Sequence, residues 1–233
     1  MVTVPEGPTQ APASYPQAGF PDIPGSADIL LIRHGQSEPY LPGTPFPLVE
    51  GHADPALTPR GHEQAALLAA RLAAAGIGAV YVTPLRRTAQ TAAPLAARLG
   101  LNPQVEPGLR EVHLGDWEGG EYRQRVAERD PLVWQVFQEE RWEVIPGAET
   151  SASLAARVRA AIDRLAAAHA GQRLAVFTHG GVIGQALALA SGSRPFAFLS
   201  ADNGSISRLV VAGQRWVVRG FNDTAHLDGQ RQG

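Results

Sequence analysis

Short apolar runs alternate along this chain with longer amphipathic segments, and this alternation limits the folds that the chain can adopt. Apolar runs at residues 29–32, 79–83 and 173–179 indicate buried strands, and each is followed in turn by a segment with apolar residues at helical spacing. Strands that alternate with helices pair in parallel, because each helix returns the chain to the same end of the sheet. The pattern therefore predicts an α/β domain built on parallel strands.

Capping residues predict where the helices begin and end. Thr58 and Pro59 suit the N-cap and first position of one helix, and a second is expected from Pro84 to Gly100, because glycine commonly ends a helix. The remaining expected elements are a long helix at 151–171, a helix at 180–191, and two edge strands at 205–213 and 215–222.

Composition and length predict one domain with an extended tail. The chain has 233 residues, 44% of them hydrophobic, which is enough for one sizeable core. Residues 1–25 are rich in proline and are predicted to be a disordered tail. We expect the domain to span residues 26–228, with a less regular segment at 118–148 forming a cap over one end of the sheet. The longest apolar windows are interrupted by arginine, so we expect a soluble, cytoplasmic protein.

The residue types that are missing exclude several kinds of chemistry. Without cysteine there is no thiolate ligand or cysteine nucleophile, and because all 20 basic residues are arginine there is no Schiff-base or P-loop lysine. Charged residues make up 18% of the chain and the net charge is −2. That charge gives no field to hold a nucleic acid or an anionic membrane, so we expect neither as a partner. An anionic ligand must be bound by local groups.

Two predicted strands end in a histidine followed by glycine. His34 follows the first strand, His179 ends the strand at 173–179, and Arg33 stands beside His34. The carboxyl ends of parallel strands share one edge of a sheet, where ligands bind and where helix N-termini offer free N–H groups. Charged and polar side chains gathered there are costly to desolvate without a counter-ion. The arrangement predicts a bound dianion, with phosphate as the first candidate.

Two further segments add charged groups to the same edge. In TPLRRTAQT, Arg86 and Arg87 follow the second strand, and in LREVHLGDWEG, Glu111 and Asp116 stand beside a glycine-containing loop. The arginines are candidate anion ligands. The carboxylates are candidate proton donors, and Glu118, two residues beyond Asp116, competes with them for that role.

Four sequence blocks in this order resemble the histidine phosphatase superfamily. They are RHG after the first strand, TPLRRTAQT after the second, LREVHLGDWEG in mid-chain and THGG late in the chain. A lone RHG recurs by chance, whereas four blocks on matching elements are specific. The resemblance covers residues 27–221 and implies the phosphoglycerate-mutase-like fold, a three-layer sandwich with a mostly parallel central sheet flanked by helices.

The resemblance also implies a role for each matching residue. It makes His34 the phosphorylated nucleophile, places Arg33, Arg87 and His179 around the phosphoryl group, and makes Glu111 the proton donor. Arg87 matches the family's arginine by its spacing from Thr83, and Arg86 is left at the rim. Further substrate contacts are expected from Gln36, Ser37 and Gly180. No cofactor and no metal are expected, because a phosphohistidine mechanism needs only positioning and positive charge.

Departures from the mutase pattern favour the phosphatase branch. Pro39 and Tyr40 stand where mutases carry Trp-Asn, and PGAETSASLAARV resembles the PGGES helix entry of the phosphatases. We therefore predict a metal-independent phosphomonoesterase that acts on a small phosphorylated metabolite through phosphohistidine. A phosphoglycerate mutase is the nearest alternative, and a catalytically idle protein that binds a phosphorylated ligand is an alternative of another class. A metal-site protein is disfavoured by the histidine spacing, and a homodimer is possible.

The remaining histidines and two tryptophans are predicted to have other roles. His52, His62 and His113 are expected at the surface or behind the site, with His113 nearest to it. His169 and His226 are expected to be exposed, and packing in the core or cap is expected of Trp117 and Trp134.

Overall fold

A six-stranded mixed sheet forms the centre of the computed structural model, which describes Gln17 and residues 23–230. In sheet order the strands are β5 (Gln104–Val105), β4 (Ile77–Val82), β6 (Arg173–Thr178), β1 (Ala27–Arg33), β7 (Ile206–Ala212) and β8 (Arg215–Asp223). The first four run parallel, and β7 and β8 are antiparallel to their neighbours. A separate hairpin pairs β2 (Leu48–Val49) with β3 (His52–Ala53). The predicted mostly parallel sheet is confirmed.

Helices cover both faces of the sheet. Ile29 and Leu31 of β1 pack with one set of helices, and Leu30 and Ile32 pack with the other. Because β1 buries side chains on both faces, its sequence is continuously apolar. The three-layer sandwich is thus confirmed. The first set is α5 (Ser151–Ala168) and α6 (Gly180–Ser191), the second is α1 (Pro59–Leu72) and α2 (Arg86–Leu99), and α3 (Glu121–Ala127) and α4 (Pro131–Glu139) lie in the cap.

Two of the predicted element positions are wrong. The strand at 205–213 is not at the edge of the sheet, because β7 pairs with both β1 and β8. Helix α2 begins at Arg86 and not at Pro84, since Leu85 is extended and serves as the N-cap. The carboxylate of Asp54 accepts the backbone N–H of Arg86 at 2.8 Å, so the helix start is capped by a residue distant in sequence.

The segment at 118–148 forms short helices whose buried side chains belong to the same apolar cluster as Ile29 and Leu31 of β1. Trp142 and Val136 are buried in it, next to Trp117 just before the segment, and this confirms the prediction for Trp117. The prediction for Trp134 is wrong, because 61% of this residue is exposed. Gly120 has φ of 113°, and a Cβ there would lie 2.1 Å from the Tyr40 ring, so only glycine lets the cap approach the loop after β1 this closely.

The ends of the described chain bear on two further predictions. The tail predicted at residues 1–25 lies outside the described residues, except for Gln17 and for residues 23–25, which turn the chain into β1. In the part of the chain that the structure describes, no helix is long and apolar enough to cross a membrane.

Candidate active site

The carboxyl ends of β1 and β6 bring two histidines together, as their sequence positions predicted. The ring centroids of His34 and His179 lie 5.2 Å apart, with the ring planes at 61°. Both residues are buried, and His179 is also the N-cap of α6, so it stands at the positive end of that helix. The two side chains and the helix end thus face one small region at the sheet edge.

The tautomer and protonation of His34 follow from its neighbours. Its Nδ1 lies 2.7 Å from the carbonyl oxygen of Gly35, and because that oxygen can only accept, Nδ1 carries the proton. Nε2 therefore keeps a free electron pair. Burial, and then the positive charges of Arg87 and Arg33, hold the pKa of His34 well below its usual value of 6.5. His34 is consequently a neutral imidazole at neutral pH, which is the state of a nucleophile.

His179 is fully buried beside His34. Its Nε2 lies 3.0 Å from Oγ1 of Thr83, the residue that follows β4, while its Nδ1 has no hydrogen-bond partner among the described residues. Burial, followed by the charge of Arg87, lowers its pKa well below 6.5. A buried nitrogen without a partner is unusual in a folded protein and marks His179 as part of a functional site.

Three guanidinium groups surround the histidines. Arg87 is 7% exposed and donates to the carbonyl of Ala53 at 2.8 Å; burial lowers its pKa to about 10, so it stays cationic at neutral pH. Arg33 donates to the carbonyl of Ala201, and its buried Nε has no partner among the described residues. Burial also lowers the pKa of Arg33 and of Arg123 in the cap. The buried Arg87 and the partly buried Arg33, with its unused N–H, favour an anion between them.

Glu111 is the carboxylate that enters this cluster. It lines the cavity described below, and its oxygens lie 3.0 Å from the N–H of Val112 and 3.5 Å from that of Gly181. Asp116 is exposed and does not line that cavity. Glu118 does line it, but its two oxygens accept from the backbone N–H groups of Ala53 at 2.8 Å and Leu114 at 2.9 Å. The geometry therefore favours Glu111 as the proton donor.

A cavity of about 390 Å³ opens over these groups. Arg33, His34, Arg87 and Glu111 line it, as do Gln36 and Ser37, whereas His179 and Gly180 are not among its lining residues. A Cβ on Gly180 would lie 3.5 Å from Nε of Arg33, so the glycine packs against that arginine. Arg86 is outside the cavity and pairs with Asp54 at 2.9 Å. The predicted nucleophile, two arginines and acid thus share one cavity.

Sequence reasoning missed four polar residues that line the cavity. The interpretation of His52 as a surface residue or one behind the site is wrong, because it is 5% exposed and lines the cavity. The other three are Arg123, Tyr122 and Asn203. Arg123 donates to Oγ of Ser37 at 2.9 Å, and burial together with the charge of Glu111 raises the pKa of Tyr122 to about 12.

The other histidines lie outside this cavity. His62 is exposed on α1, as predicted, and the ring of His113 lies behind that of His52 at 5.2 Å, so His52 and not His113 is the nearest of the three to the site. His169 and His226 are only partly exposed, contrary to prediction, because their Nε2 atoms bond to the Tyr81 hydroxyl at 2.8 Å and the Gly204 carbonyl at 3.0 Å. Within the described residues, no group of three or more histidine or carboxylate side chains is arranged to hold a metal ion.

The buried neutral histidines predict a loss of stability in mild acid. In the unfolded chain His34 and His179 gain protons as the pH falls through about 6.5, whereas in the folded chain their pKa values are lower. The unfolded state then binds more protons, so the free energy of unfolding falls with pH by at most about 1.4 kcal/mol per pH unit for each histidine. Urea unfolding at pH 7.5, 6.5 and 5.5 measures this slope. His34→Gln should flatten it and exposed His62→Gln should not; an unchanged slope in His34→Gln would contradict the assignment.

Comparison with known proteins gives consistent matches. The family profile of the histidine phosphatase superfamily (branch 1) matches residues 29–224. An Arabidopsis thaliana phosphoglycerate mutase-like protein 4 is 33% identical over 207 residues, covering 87% of both chains. A metal-independent phosphoserine phosphatase from the same plant is 30% identical, covering 86% of this chain and 83% of its own. The structure of a mycobacterial glucosyl-3-phosphoglycerate phosphatase superposes with a TM-score of 0.71 at 27% identity, covering 85% of this chain and all of its own.

Proposed function

Because this chain belongs to the histidine phosphatase superfamily and is a phosphatase, we propose that it is a metal-independent phosphomonoesterase that transfers the phosphoryl group of a small metabolite to His34. One observation carries the proposal. The neutral His34, with its proton held on Nδ1 by Gly35, shares a cavity with three guanidinium groups, of which that of Arg87 is buried, and with the carboxyl group of Glu111. A nucleophile, an anion pocket and an acid are the parts that this reaction requires.

In the first step, Nε2 of His34 attacks phosphorus while the bond from phosphorus to the ester oxygen breaks. Glu111 gives its proton to the departing alkoxide, so the alcohol leaves neutral. Arg33, Arg87 and Arg123 balance the negative charge on the phosphoryl oxygens. The protein needs to supply little more than this positioning and charge, because the transferring group carries the charge of the transition state.

In the second step, Glu111, now a carboxylate, takes a proton from water as the water oxygen attacks phosphorus. The bond between phosphorus and Nε2 breaks, and its electron pair returns to the imidazole. Inorganic phosphate leaves, and Glu111 is protonated again for the next cycle. Atoms and charges balance for the hydrolysis of a phosphate monoester to an alcohol and phosphate.

The substrate is proposed to be small because the loop after β1 and the cap close over the cavity. Phe46 donates its N–H to the carbonyl of Gly119 at 2.9 Å, and Arg123 of the cap lies over the Phe46 ring at 5.2 Å. These segments surround the part of the substrate that does not react, so they are where we place substrate selection. A homodimer, a cytoplasmic location and the absence of nucleic-acid and membrane partners stay predictions.

A mutase remains the second candidate, because the phosphoglycerate mutase-like relative matches over most of both chains. Both reactions share the phosphohistidine and differ in whether an alcohol or water accepts the phosphoryl group. Incubation with 3-phosphoglycerate and with other small phosphate esters, followed by phosphorus NMR, separates them. Release of inorganic phosphate supports the phosphatase, an isomerised ester supports the mutase, and binding without either product supports a ligand-binding protein.

Activity should survive exhaustive chelation, because arginine side chains supply the positive charge of the proposed site. Hydrolysis of p-nitrophenyl phosphate is measured after dialysis against EDTA, then with added Mg²⁺ or Zn²⁺. We expect no loss on dialysis and no stimulation by metal. Inorganic phosphate and vanadate should compete with substrate, because both fit a pocket built for a phosphoryl group. Loss of activity that only added metal restores would overturn the metal-independent mechanism.

A further inference from the structure

The loop that carries Glu111 is held by two side chains from neighbouring elements. The backbone carbonyls of residues 108–111 all accept side-chain hydrogen bonds, from Arg157 of α5 and from Thr178 at the end of β6. The Arg157 guanidinium lies 2.9 Å from the carbonyl oxygen of Gly108, 2.7 Å from that of Arg110 and 3.0 Å from that of Glu111, and Oγ1 of Thr178 lies 2.7 Å from that of Leu109.

Arg157 uses all five of its N–H donors on fixed acceptors. Besides the three carbonyls, its Nε and NH2 groups donate to the two oxygens of Glu149 at 2.7 and 2.8 Å. The side chains of Arg157 and Glu149 are only 18% and 12% exposed. A planar guanidinium bound at every donor can adopt only one orientation, so its three carbonyl partners are fixed relative to α5.

Glu149 is in turn anchored to the strand-like segment after Glu111. Its N–H donates to the carbonyl of His113 at 2.9 Å, and one carboxylate oxygen accepts from Ser153 at 3.2 Å. Burial alone would raise the pKa of Glu149, but the hydrogen bond and charge of Arg157 lower it below its usual value. The ion pair therefore persists through the neutral and mildly acidic range.

Arg157 binds the backbone carbonyl of Glu111, and Glu111 also lines the cavity. The Glu111 carboxylate also lies against Gly181, where a Cβ would lie 2.6 Å from Oε1. Proton transfer needs the donor oxygen within about 2.6–3.2 Å of the leaving oxygen, and a displacement of about 1 Å can cost 10²-fold in rate. The backbone position of Glu111 thus controls its reach.

We propose that the Arg157–Glu149 ion pair is a positioning device that holds Glu111 at the distance from which it can protonate a leaving group. The inference rests on the proposed function, in which Glu111 is the acid. Neither residue touches the substrate. Loss of the pair therefore impairs the reaction of esters whose alcohol leaves only when protonated, and it affects esters of good leaving groups far less.

The test compares two substrates in two variants, Arg157→Lys and Glu149→Gln. The ratio kcat/KM reports only the steps up to formation of phosphohistidine, so it isolates the step in which Glu111 acts as an acid. For Arg157→Lys we expect about a 10- to 100-fold loss on an alkyl phosphate such as glycerol phosphate, and less than about 3-fold on p-nitrophenyl phosphate. Glu149→Gln should show the same selectivity with a smaller loss.

A matched control comes from the same helix. Arg164 of α5 also pairs with a glutamate, Glu106, but makes none of the contacts to the carbonyls of residues 108–111. Arg164→Gln should reduce kcat/KM equally little for both substrates. The melting temperatures of all variants show whether a loss of activity follows from unfolding. If the ion pair had only a structural role, its variants would lower the rates on both substrates together.

Glu111→Gln, measured in parallel, separates the two inferences. If it is selective for the alkyl phosphate and Arg157→Lys is not, the positioning role is wrong and the acid assignment stands. If Glu111→Gln itself lacks the selectivity, the proposed acid is wrong. Equal losses on both substrates in both ion-pair variants, with wild-type melting temperatures, would also overturn the positioning role.

Discussion

His34→Ala should lose turnover on every phosphate ester by a factor on the order of 10⁴ or more, because the variant has no atom to receive the phosphoryl group. The neighbouring His179 does not replace it. Its Nε2 already contacts Thr83 at 3.0 Å, and the ring is fully buried. Steady-state rates on an aryl and an alkyl phosphate measure the loss, and both should fall together because the nucleophile is needed whatever the leaving group.

Chemical trapping identifies the intermediate directly. Wild-type enzyme mixed with ³²P-labelled substrate and quenched within milliseconds should carry label that is stable in alkali and lost in acid, as expected of a phosphoramidate. His34→Ala should carry none, and exposed His62→Ala should behave like wild type. If His34→Ala retained wild-type turnover, or if the label on the wild-type enzyme were lost in alkali, another residue would be the nucleophile.

The parts of the site that could be predicted from sequence are those fixed by local pattern. A buried strand that ends in histidine and glycine determines where His34 and His179 lie, because the carboxyl ends of β1 and β6 are neighbours in the sheet. Arg87 follows because it stands in the first turn of α2, directly after β4. These positions depend on where each strand ends and each helix begins, and both can be read from apolar spacing to within a few residues.

Residues that reach the site through tertiary contacts could not be predicted in this way. Arg123 is one of several arginines in the cap, and only the contacts of α3 with Ser37 and Phe46 direct it into the cavity. His52 enters through the two-residue strand β3, which is too short to leave a periodic pattern. Asn203 donates to the carbonyl of His34 at 3.0 Å, and a prediction that placed β7 beside β1 would have found it.

Asp54 explains why the start of α2 was placed two residues too early. It binds both the backbone N–H and the side chain of Arg86, at 2.8 and 2.9 Å, so the helix begins where this distant carboxylate caps it. Local capping rules favour a proline at the first position of a helix. They do not take account of a capping group that comes from another segment of the chain. The same contact keeps Arg86 out of the cavity. The spacing in the sequence predicts only that Arg86 lies at the rim of the site.

Glu111→Gln should affect substrates according to their leaving group. An alkyl alkoxide leaves only as it is protonated, whereas p-nitrophenolate leaves readily as an anion. General acid catalysis typically contributes about 10²- to 10⁴-fold, so we expect a loss of kcat/KM in that range on glycerol phosphate. On p-nitrophenyl phosphate the burst of p-nitrophenol, which reports phosphorylation of His34, should slow far less.

The second half of the reaction gives Glu111→Gln a further signature. Because the glutamine cannot take a proton from water, hydrolysis of the phosphohistidine should become the slow step, and the intermediate should accumulate on p-nitrophenyl phosphate. The burst should therefore remain while the steady-state rate after it falls. The two phases thus separate the acid role of Glu111 from its role as a base within one time course.

Two neighbouring carboxylates serve as controls with different expected results. Asp116→Asn should match wild type on both substrates, because this residue is exposed and lies outside the cavity. Glu118→Gln should lower both rates together, because its oxygens hold the N–H groups of Ala53 and Leu114 and so fix the loop whose carbonyl binds Arg87. An equal slowing of both bursts by Glu111→Gln, or the leaving-group signature in Asp116→Asn, would mean that another carboxylate is the acid. Both oxygens of Glu118 are held by backbone N–H groups at 2.8 and 2.9 Å, whereas one oxygen of Glu111 has only a 3.5 Å contact with Gly181, so the selective loss is expected at Glu111.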